Sequence, residues 1–199
     1  MKKKIFISNL ILSILLCFLI LLDHIHWLDS NVYNFVISFK TQDVTNMFKI
    51  LSDIIYLVAV ICLLFLIFYK NKKASFLVML NLILSFFTST ILKLIFRRSR
   101  PIGIALVLEQ GYSMPSSHAF VSTAFFGFIA YFIYKNFEKG KLRTFLLMFF
   151  MFYVFMIGLS RVYLGVHYAS DVLLGFSTGL IYLVVFVKLF SKYIVFERK

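Results

Sequence analysis

Six long apolar stretches run along the chain, over roughly 5–22, 54–69, 74–96, 117–134, 144–160 and 168–190, and short polar segments rich in Lys and Arg separate them. Each approaches the length of about 20 residues that a helix needs to cross the hydrocarbon core of a bilayer. The second and fifth fall short by about a turn, so they are expected to borrow flanking residues or to sit in locally thinned lipid. Only two prolines and eight glycines interrupt the chain. That scarcity favours long helices over the turn-punctuated strands of a membrane β-barrel. The pattern predicts an all-α polytopic membrane protein, a bundle of six transmembrane helices forming a single domain over residues 1–199.

Between the first two spans, residues 23–53 form the longest connection. Within it Trp27, Val32, Phe35, Val36 and Phe39 recur at near-helical spacing among polar residues, which predicts a helix lying in the membrane interface. Such a helix can pack against the top of the bundle, or serve as a ramp that lets a lipid reach a site at headgroup level.

Composition makes the bilayer the solvent. With 62% apolar and 19% aromatic residues and a mean hydropathy of +0.95, the chain is not an ordinary water-soluble domain. A formal charge of +13 would suggest nucleic acid in a soluble protein, but here the charges cluster between apolar segments, so no nucleic-acid partner is expected.

Their distribution alternates. One side would carry Lys2, Lys3, Lys4, Lys70, Lys72, Lys73, Lys135, Lys139, Lys141, Arg143, Lys188, Lys192, Arg198 and Lys199 against only Glu138 and Glu197. The other would carry seven cations against Asp23, Asp29, Asp43, Asp53, Glu109 and Asp171. Because Lys and Arg are retained on the cytoplasmic side during insertion, both termini are expected there. The opening Lys2–Lys4 and apolar run also resemble a secretory signal, but no small-residue cleavage site follows, so an uncleaved anchor is expected. A lipoprotein site at Cys17 is disfavoured by the bulky Leu16. Cys17 and Cys62 both lie inside apolar runs and read as packing.

Against this frame four cations are misplaced. Lys93, Arg97, Arg98 and Arg100 fall within eight residues on the side that should be poor in them. If the third apolar helix continued through them, Lys93, Arg97 and Arg100 would share a face at i, i+4 and i+7, and would repel unless an anion lay between them. Alternatively, Lys93 snorkels to the interface and the arginines bind outer headgroups without specificity.

A second group, Met114-Pro115-Ser116-Ser117-His118, immediately precedes the fourth apolar run. A serine there can cap the helix, whose free first-turn N–H groups suit a phosphate, with His118 beside the bound anion. A capping pair with an incidental histidine is the simpler alternative. The third group is Ser160-Arg161, His167 and Asp171. His167 and Asp171 stand at i and i+4, so the carboxylate can hold one ring nitrogen and present the other, unprotonated, as a nucleophile. A purely structural pair would also require the two to meet, because an aspartate in an apolar helix needs a partner. His24 and His26 have no identifiable partner, and two ligands alone specify no metal.

At these residues the sequence resembles the type 2 phosphatidic acid phosphatase superfamily, the membrane branch related to vanadium haloperoxidases. Three motifs carry the resemblance: a lysine, six residues and Arg-Pro, as Lys93 to Arg100-Pro101; Pro-Ser-Gly-His, as Pro115-Ser116-Ser117-His118; and Ser-Arg, five residues, His, three residues, Asp, as Ser160-Arg161, His167 and Asp171. Ser117 replaces the usual glycine, which matters only if the turn demands a positive φ there.

The resemblance implies that Lys93, Arg100 and Arg161 clamp phosphate oxygens, helped by Ser116 and the Ser117 backbone. It implies that His167 attacks phosphorus, that His118 protonates the departing oxygen and that Asp171 orients His167. The implied function is an integral-membrane, metal-independent phosphatase needing no cofactor. Its site would face outward and act on lipid phosphates such as phosphatidic acid, phosphatidylglycerophosphate or undecaprenyl diphosphate. A lipid-phosphate binding or transport protein that keeps the pocket is the competing reading, and the apolar helices exclude a soluble haloperoxidase.

Overall fold

Each apolar stretch coincides with a helix in the computed structural model, which describes residues 3–68, 72–190 and 192. In chain order the helices are α1 (Lys3–Leu21), α2 (His26–Ile37), α3 (Gln42–Phe68), α4 (Lys72–Phe96), α5 (Ser117–Asn136), α6 (Lys141–Tyr163) and α7 (Ala169–Phe190). Of the basic residues expected on the cytoplasmic side, Lys2, Lys70, Arg198 and Lys199 lie outside the described residues, as does the side chain of Cys62.

Among the described residues, four helical segments, Ser75–Phe96, Ser117–Asn136, Lys141–Tyr163 and Ala169–Phe190, are long and apolar enough to cross a membrane. Phe6–Leu21 and His26–Ile37 meet the same requirement only as a pair, and they turn 96° from one another. The protein is an all-helical membrane protein.

The second and fifth stretches, short by about a turn, both borrow flanking residues. The second apolar stretch is the C-terminal part of α3, which begins at Gln42. Its polar opening still forms helix because Thr45 and Ser52 are buried and bonded to α6, Thr45 Oγ1 to the Tyr163 hydroxyl at 2.8 Å and Ser52 Oγ to Ser160 Oγ at 3.1 Å. The fifth stretch likewise gains residues at both ends in α6. The connection over 23–53 therefore divides into the short α2 and the first turns of α3.

α5 is the centre of the bundle, packed against α7, α6 and α4. It buries Phe120, Phe125, Phe126 and Phe128 almost completely. The closest approach is to α7, where Gly175 and Gly179 form the small-residue stripe that lets membrane helices touch backbone to backbone. A Cβ added at Gly175 would lie 2.8 Å from the Ser116 carbonyl oxygen and 2.9 Å from Ala119 Cβ, and one at Gly179 would lie 2.7 Å from the Phe120 carbonyl oxygen. Gly175 thus fixes the height of the first turn of α5. Gly175→Ala is expected to lower stability by about 1–3 kcal/mol through overpacking, seen as a fall in thermal midpoint in detergent. On the far side of α7, Ser177 meets Asn9 and Ser13 of α1, with a Ser13–Ser177 hydroxyl pair at 2.6 Å.

Candidate active site

Two loops meet above the α5–α7 contact, residues 97–116 between α4 and α5, and residues 164–168 between α6 and α7. They are joined where the Leu106 N–H donates to the Leu164 carbonyl at 2.9 Å. Gly165 permits this approach: it has φ +67°, and a Cβ there would lie 2.4 Å from the Ile104 carbonyl oxygen. No L side chain fits that combination.

The junction collects the three charged groups. Lys93, in the last turn of α4, donates from Nζ to the Tyr112 carbonyl at 2.5 Å and to the Ser113 carbonyl at 3.4 Å. Arg100 is pinned by three carbonyls, of Gly111 at 3.0 Å, Gln110 at 3.0 Å and Val166 at 2.8 Å. Arg161 is buried in the last turn of α6. Lys93, Arg100, Arg161, His118 and His167 lie close enough for their charges to act on one another. The expected i, i+4, i+7 stacking on one helix does not occur, because α4 ends at Phe96 and Arg97 turns the chain with φ +50°. Arg97 lies outside the cluster, with its Nε bonded to the Leu94 carbonyl at 2.9 Å.

His167 is 3% exposed. Its Nε2 faces Arg100 Nη1 at 3.2 Å. A guanidinium only donates, so Nε2 is the acceptor and keeps its lone pair on the side of the cations. The proton of the neutral ring then sits on Nδ1, which faces Ser113 Oγ at 3.2 Å, while that hydroxyl donates to Asp171 Oδ2 at 2.5 Å. The expected direct bond between His167 and Asp171 is instead a separation of 3.8 Å bridged by Ser113. Burial, opposed by Asp171 and aided by the cations Lys93 and Arg100, pushes the His167 ring down to about 4. The ring is neutral near pH 7.

Ser116 occupies the N-cap position of α5 but makes no capping bond. Its backbone N–H donates to the Asp171 carbonyl at 3.1 Å, and its buried Oγ has no hydrogen-bond partner among the described residues. A buried hydroxyl in that condition suits a ligand oxygen. Ser117 opens α5 with an ordinary negative φ, so serine serves where the motif has glycine. His118 follows in the first turn.

Three further residues, Ser113, Glu109 and Asp29, have no site role in the sequence pattern, and Arg98 enters there only as one of the misplaced cations. Ser113 is a lone loop serine and carries no spacing signal. Glu109 is the sole carboxylate between Asp53 and Glu138. It pairs with Arg161 and lies 3.6 Å from Arg100, so it sits on two of the three cations as an anionic ligand would. Glu109→Gln is therefore expected to tighten binding of inorganic phosphate by about tenfold, the equivalent of about 1.4 kcal/mol. Titration calorimetry on the purified protein would measure it, and weaker binding would mean that Glu109 holds the arginines in place.

Arg98 donates to Asp171 Oδ1 at 2.7 Å and to Asp29 Oδ2 at 3.0 Å. Asp29, buried in α2, also accepts from the Ser170 N–H at 2.8 Å and its hydroxyl at 2.9 Å. Asp29 shares a face with Val32 and Val36, and a carboxylate on an apolar stripe was the available clue. Removing one member of such a buried pair costs about 3–5 kcal/mol.

The arrangement is a cluster of three cations with an unprotonated imidazole nitrogen facing it, a buried hydroxyl without a partner among the described residues and a helix N-terminus, which together can hold and transfer a phosphoryl group. Known proteins resemble this chain. Phosphatidylglycerophosphatase B of Bacillus subtilis is 34% identical over 117 residues, an alignment covering 57% of this chain and 57% of that protein. The crystal structure of a transmembrane PAP2-type phosphatidylglycerolphosphate phosphatase from Bacillus subtilis superposes with a TM-score of 0.83 at 24% identity, covering 94% of this chain and 96% of that one. Aquifex aeolicus LpxE superposes with a TM-score of 0.67 at 21% identity, over 81% and 95% of the two chains. These two superpositions establish a common fold. The PAP2 superfamily model matches residues 74–194, from the start of α4 to beyond the end of α7 and through all three motifs, and the chain belongs to the PAP2 superfamily.

Proposed function

We propose that this protein is an integral-membrane, metal-independent phosphatase that hydrolyses lipid phosphate monoesters or diphosphates at the extracytoplasmic face. The observation that carries the reading is His167 Nε2 facing Arg100 at 3.2 Å, with Lys93 and Arg161 in the same charge cluster. Six helices, α1 and α3 to α7, cross the membrane, α2 lies in its interface and both termini are cytoplasmic. The charge alternation supports this topology. Phosphatidylglycerophosphate is the first substrate to test, because a relative with 34% identity carries it in its name.

In the proposed reaction Lys93, Arg100, Arg161, the Ser116 hydroxyl and the Ser117 N–H bind the phosphate oxygens. His167 Nε2 attacks phosphorus while the bond to the lipid oxygen breaks, and His118 delivers a proton to that oxygen. Water, deprotonated by His118, then attacks the phosphohistidine and releases inorganic phosphate. Asp171, through Ser113, keeps the Nδ1 proton of His167 in place. Positioning and surrounding cations supply most of the rate enhancement in such chemistry.

The test is phosphate release by purified protein from phosphatidylglycerophosphate, phosphatidic acid and undecaprenyl diphosphate in excess chelator. Turnover of at least one is expected. Binding without turnover would favour a lipid-phosphate binding or transport protein. For topology, a cysteine at the exposed Leu108 should be labelled from outside intact cells, and one at Lys139 should not.

The pH profile follows from His167. In the free enzyme the ring gains a proton only as pH falls through about 4, so the His167 limb of kcat/KM is expected near there, and not at the ordinary histidine value of about 6.5. Loss of activity lies on the acid side of that limb.

A further inference from the structure

We propose that Asp29, on α2, is a positioning residue for the reaction: acting through Arg98 and Asp171, it holds His167 in the tautomer that can attack phosphorus. This inference rests on the phosphatase reading above.

Both oxygens of each buried carboxylate are engaged. Asp171 Oδ1 accepts from Arg98 Nη1 at 2.7 Å, while its Oδ2 accepts from the Ser113 hydroxyl and from the Tyr168 N–H at 3.1 Å. Asp29 Oδ1 accepts from the Ser170 N–H at 2.8 Å, and its Oδ2 accepts from the Ser170 hydroxyl at 2.9 Å and from Arg98 Nη2 at 3.0 Å. One arm of the Arg98 fork thus meets each carboxylate. The face of the guanidinium lies on the Tyr168 ring, 4.1 Å from its centroid. Ser170 stands in the first turn of α7, so a carboxylate from α2 takes the capping role at the helix that carries Asp171. Asp29 therefore fixes both the guanidinium that aims at Asp171 and the backbone just before it.

Stability alone does not account for this pair, because desolvation offsets most of the attraction between buried charges. Its geometry converges on the nucleophile. A serine hydroxyl has one proton to give. While Ser113 gives it to Asp171, the hydroxyl can only accept from His167, so the ring proton stays on Nδ1 and Nε2 keeps its lone pair. If Asp171 swings away, the Ser113 hydroxyl is free to donate to Nδ1. The ring proton then moves to Nε2, the atom that must attack.

Asp29→Asn keeps the shape of the side chain and an acceptor for Ser170, but sets an amide NH2 group against Arg98. Val36→Ala, on the same buried face of α2, loosens the helix and leaves the carboxylate in place. With phosphatidylglycerophosphate as substrate, Asp29→Asn is expected to lower kcat by roughly a hundredfold, the loss that a misplaced reacting group produces. Val36→Ala is expected to lower the thermal midpoint while keeping kcat within about twofold of wild type. In an Asp171→Asn background, adding Asp29→Asn should cost less than about twofold more, because both changes act on one ring. Arg98→Lys keeps the charge without the fork that reaches both carboxylates, and should lower kcat in the same direction. Wild-type kcat in folded Asp29→Asn or Arg98→Lys, or the full loss repeated in the Asp171→Asn background, overturns the proposal.

Nitrogen-15 NMR of ring-labelled histidine reads the tautomer without substrate, with His167→Ala identifying the signal. The Nδ1–H form is expected in wild type, and a mixed or Nε2–H form in Asp29→Asn and Arg98→Lys. An unchanged tautomer in both variants overturns the proposal. Wild-type protein inactive on every lipid phosphate would remove the phosphatase reading, and the tautomer would still decide whether Asp29 sets the ring.

Discussion

Replacing His167 with alanine is expected to lower lipid phosphate turnover by about ten-thousandfold or more, to the level at which pocket and cations act alone. Folding should survive, because the α5–α7 contact at Gly175 and Gly179 does not involve the ring. His118→Ala separates the two histidine roles. Loss of a general acid costs about 100- to 10,000-fold when the leaving group is a poor one. A lipid alkoxide is such a group and p-nitrophenolate is not, so His118→Ala should spare p-nitrophenyl phosphate far more than a lipid substrate. His167→Ala should lose both, and a His167→Ala enzyme that still turns over would assign the nucleophile elsewhere.

The second large effect is expected at Arg161. This side chain is 2% exposed and faces Glu109. Arg161→Ala should reduce kcat/KM by roughly a thousandfold, within the range found when an arginine is removed from a transferring phosphoryl group. The loss has two sources. One cation leaves the equatorial oxygens, and Glu109 is left facing Arg100 alone, 3.6 Å away. Arg161→Lys retains the charge without the planar fork and should recover only part of the activity. A thermal melt of each variant distinguishes a lost contact from a lost fold, and equal activity in Arg161→Lys and wild type would show that charge alone is required.

The parts legible in the sequence were those with a short internal period or a fixed spacing. Long apolar runs announce helices because lipid leaves the backbone no other partner. The three motifs announce a site because cations and histidines are costly in that setting. What the sequence concealed depends on contacts between distant positions. Ser113 bridges to Asp171 across 58 residues, and Asp29 reaches Ser170 across 141. Nothing local in Ser113 marks it, whereas Asp29 carried a faint signal on the apolar face of α2. The stacking proposed for Lys93, Arg97 and Arg100 failed because it assumed a continuous helix where the chain turns at Arg97. The polar start of α3 was hidden by the same limitation, since hydroxyl bonds to Tyr163 and Ser160 hold it.

The chemistry assigned to His167 is tested most directly by trapping the intermediate. Purified protein is mixed with phosphatidylglycerophosphate carrying a radiolabelled terminal phosphate, then quenched in alkaline detergent within a single turnover. Label on the protein is expected, stable in alkali, lost in acid and carried by the peptide containing His167. Rapid turnover with no labelled protein, or label on a peptide lacking His167, would contradict it.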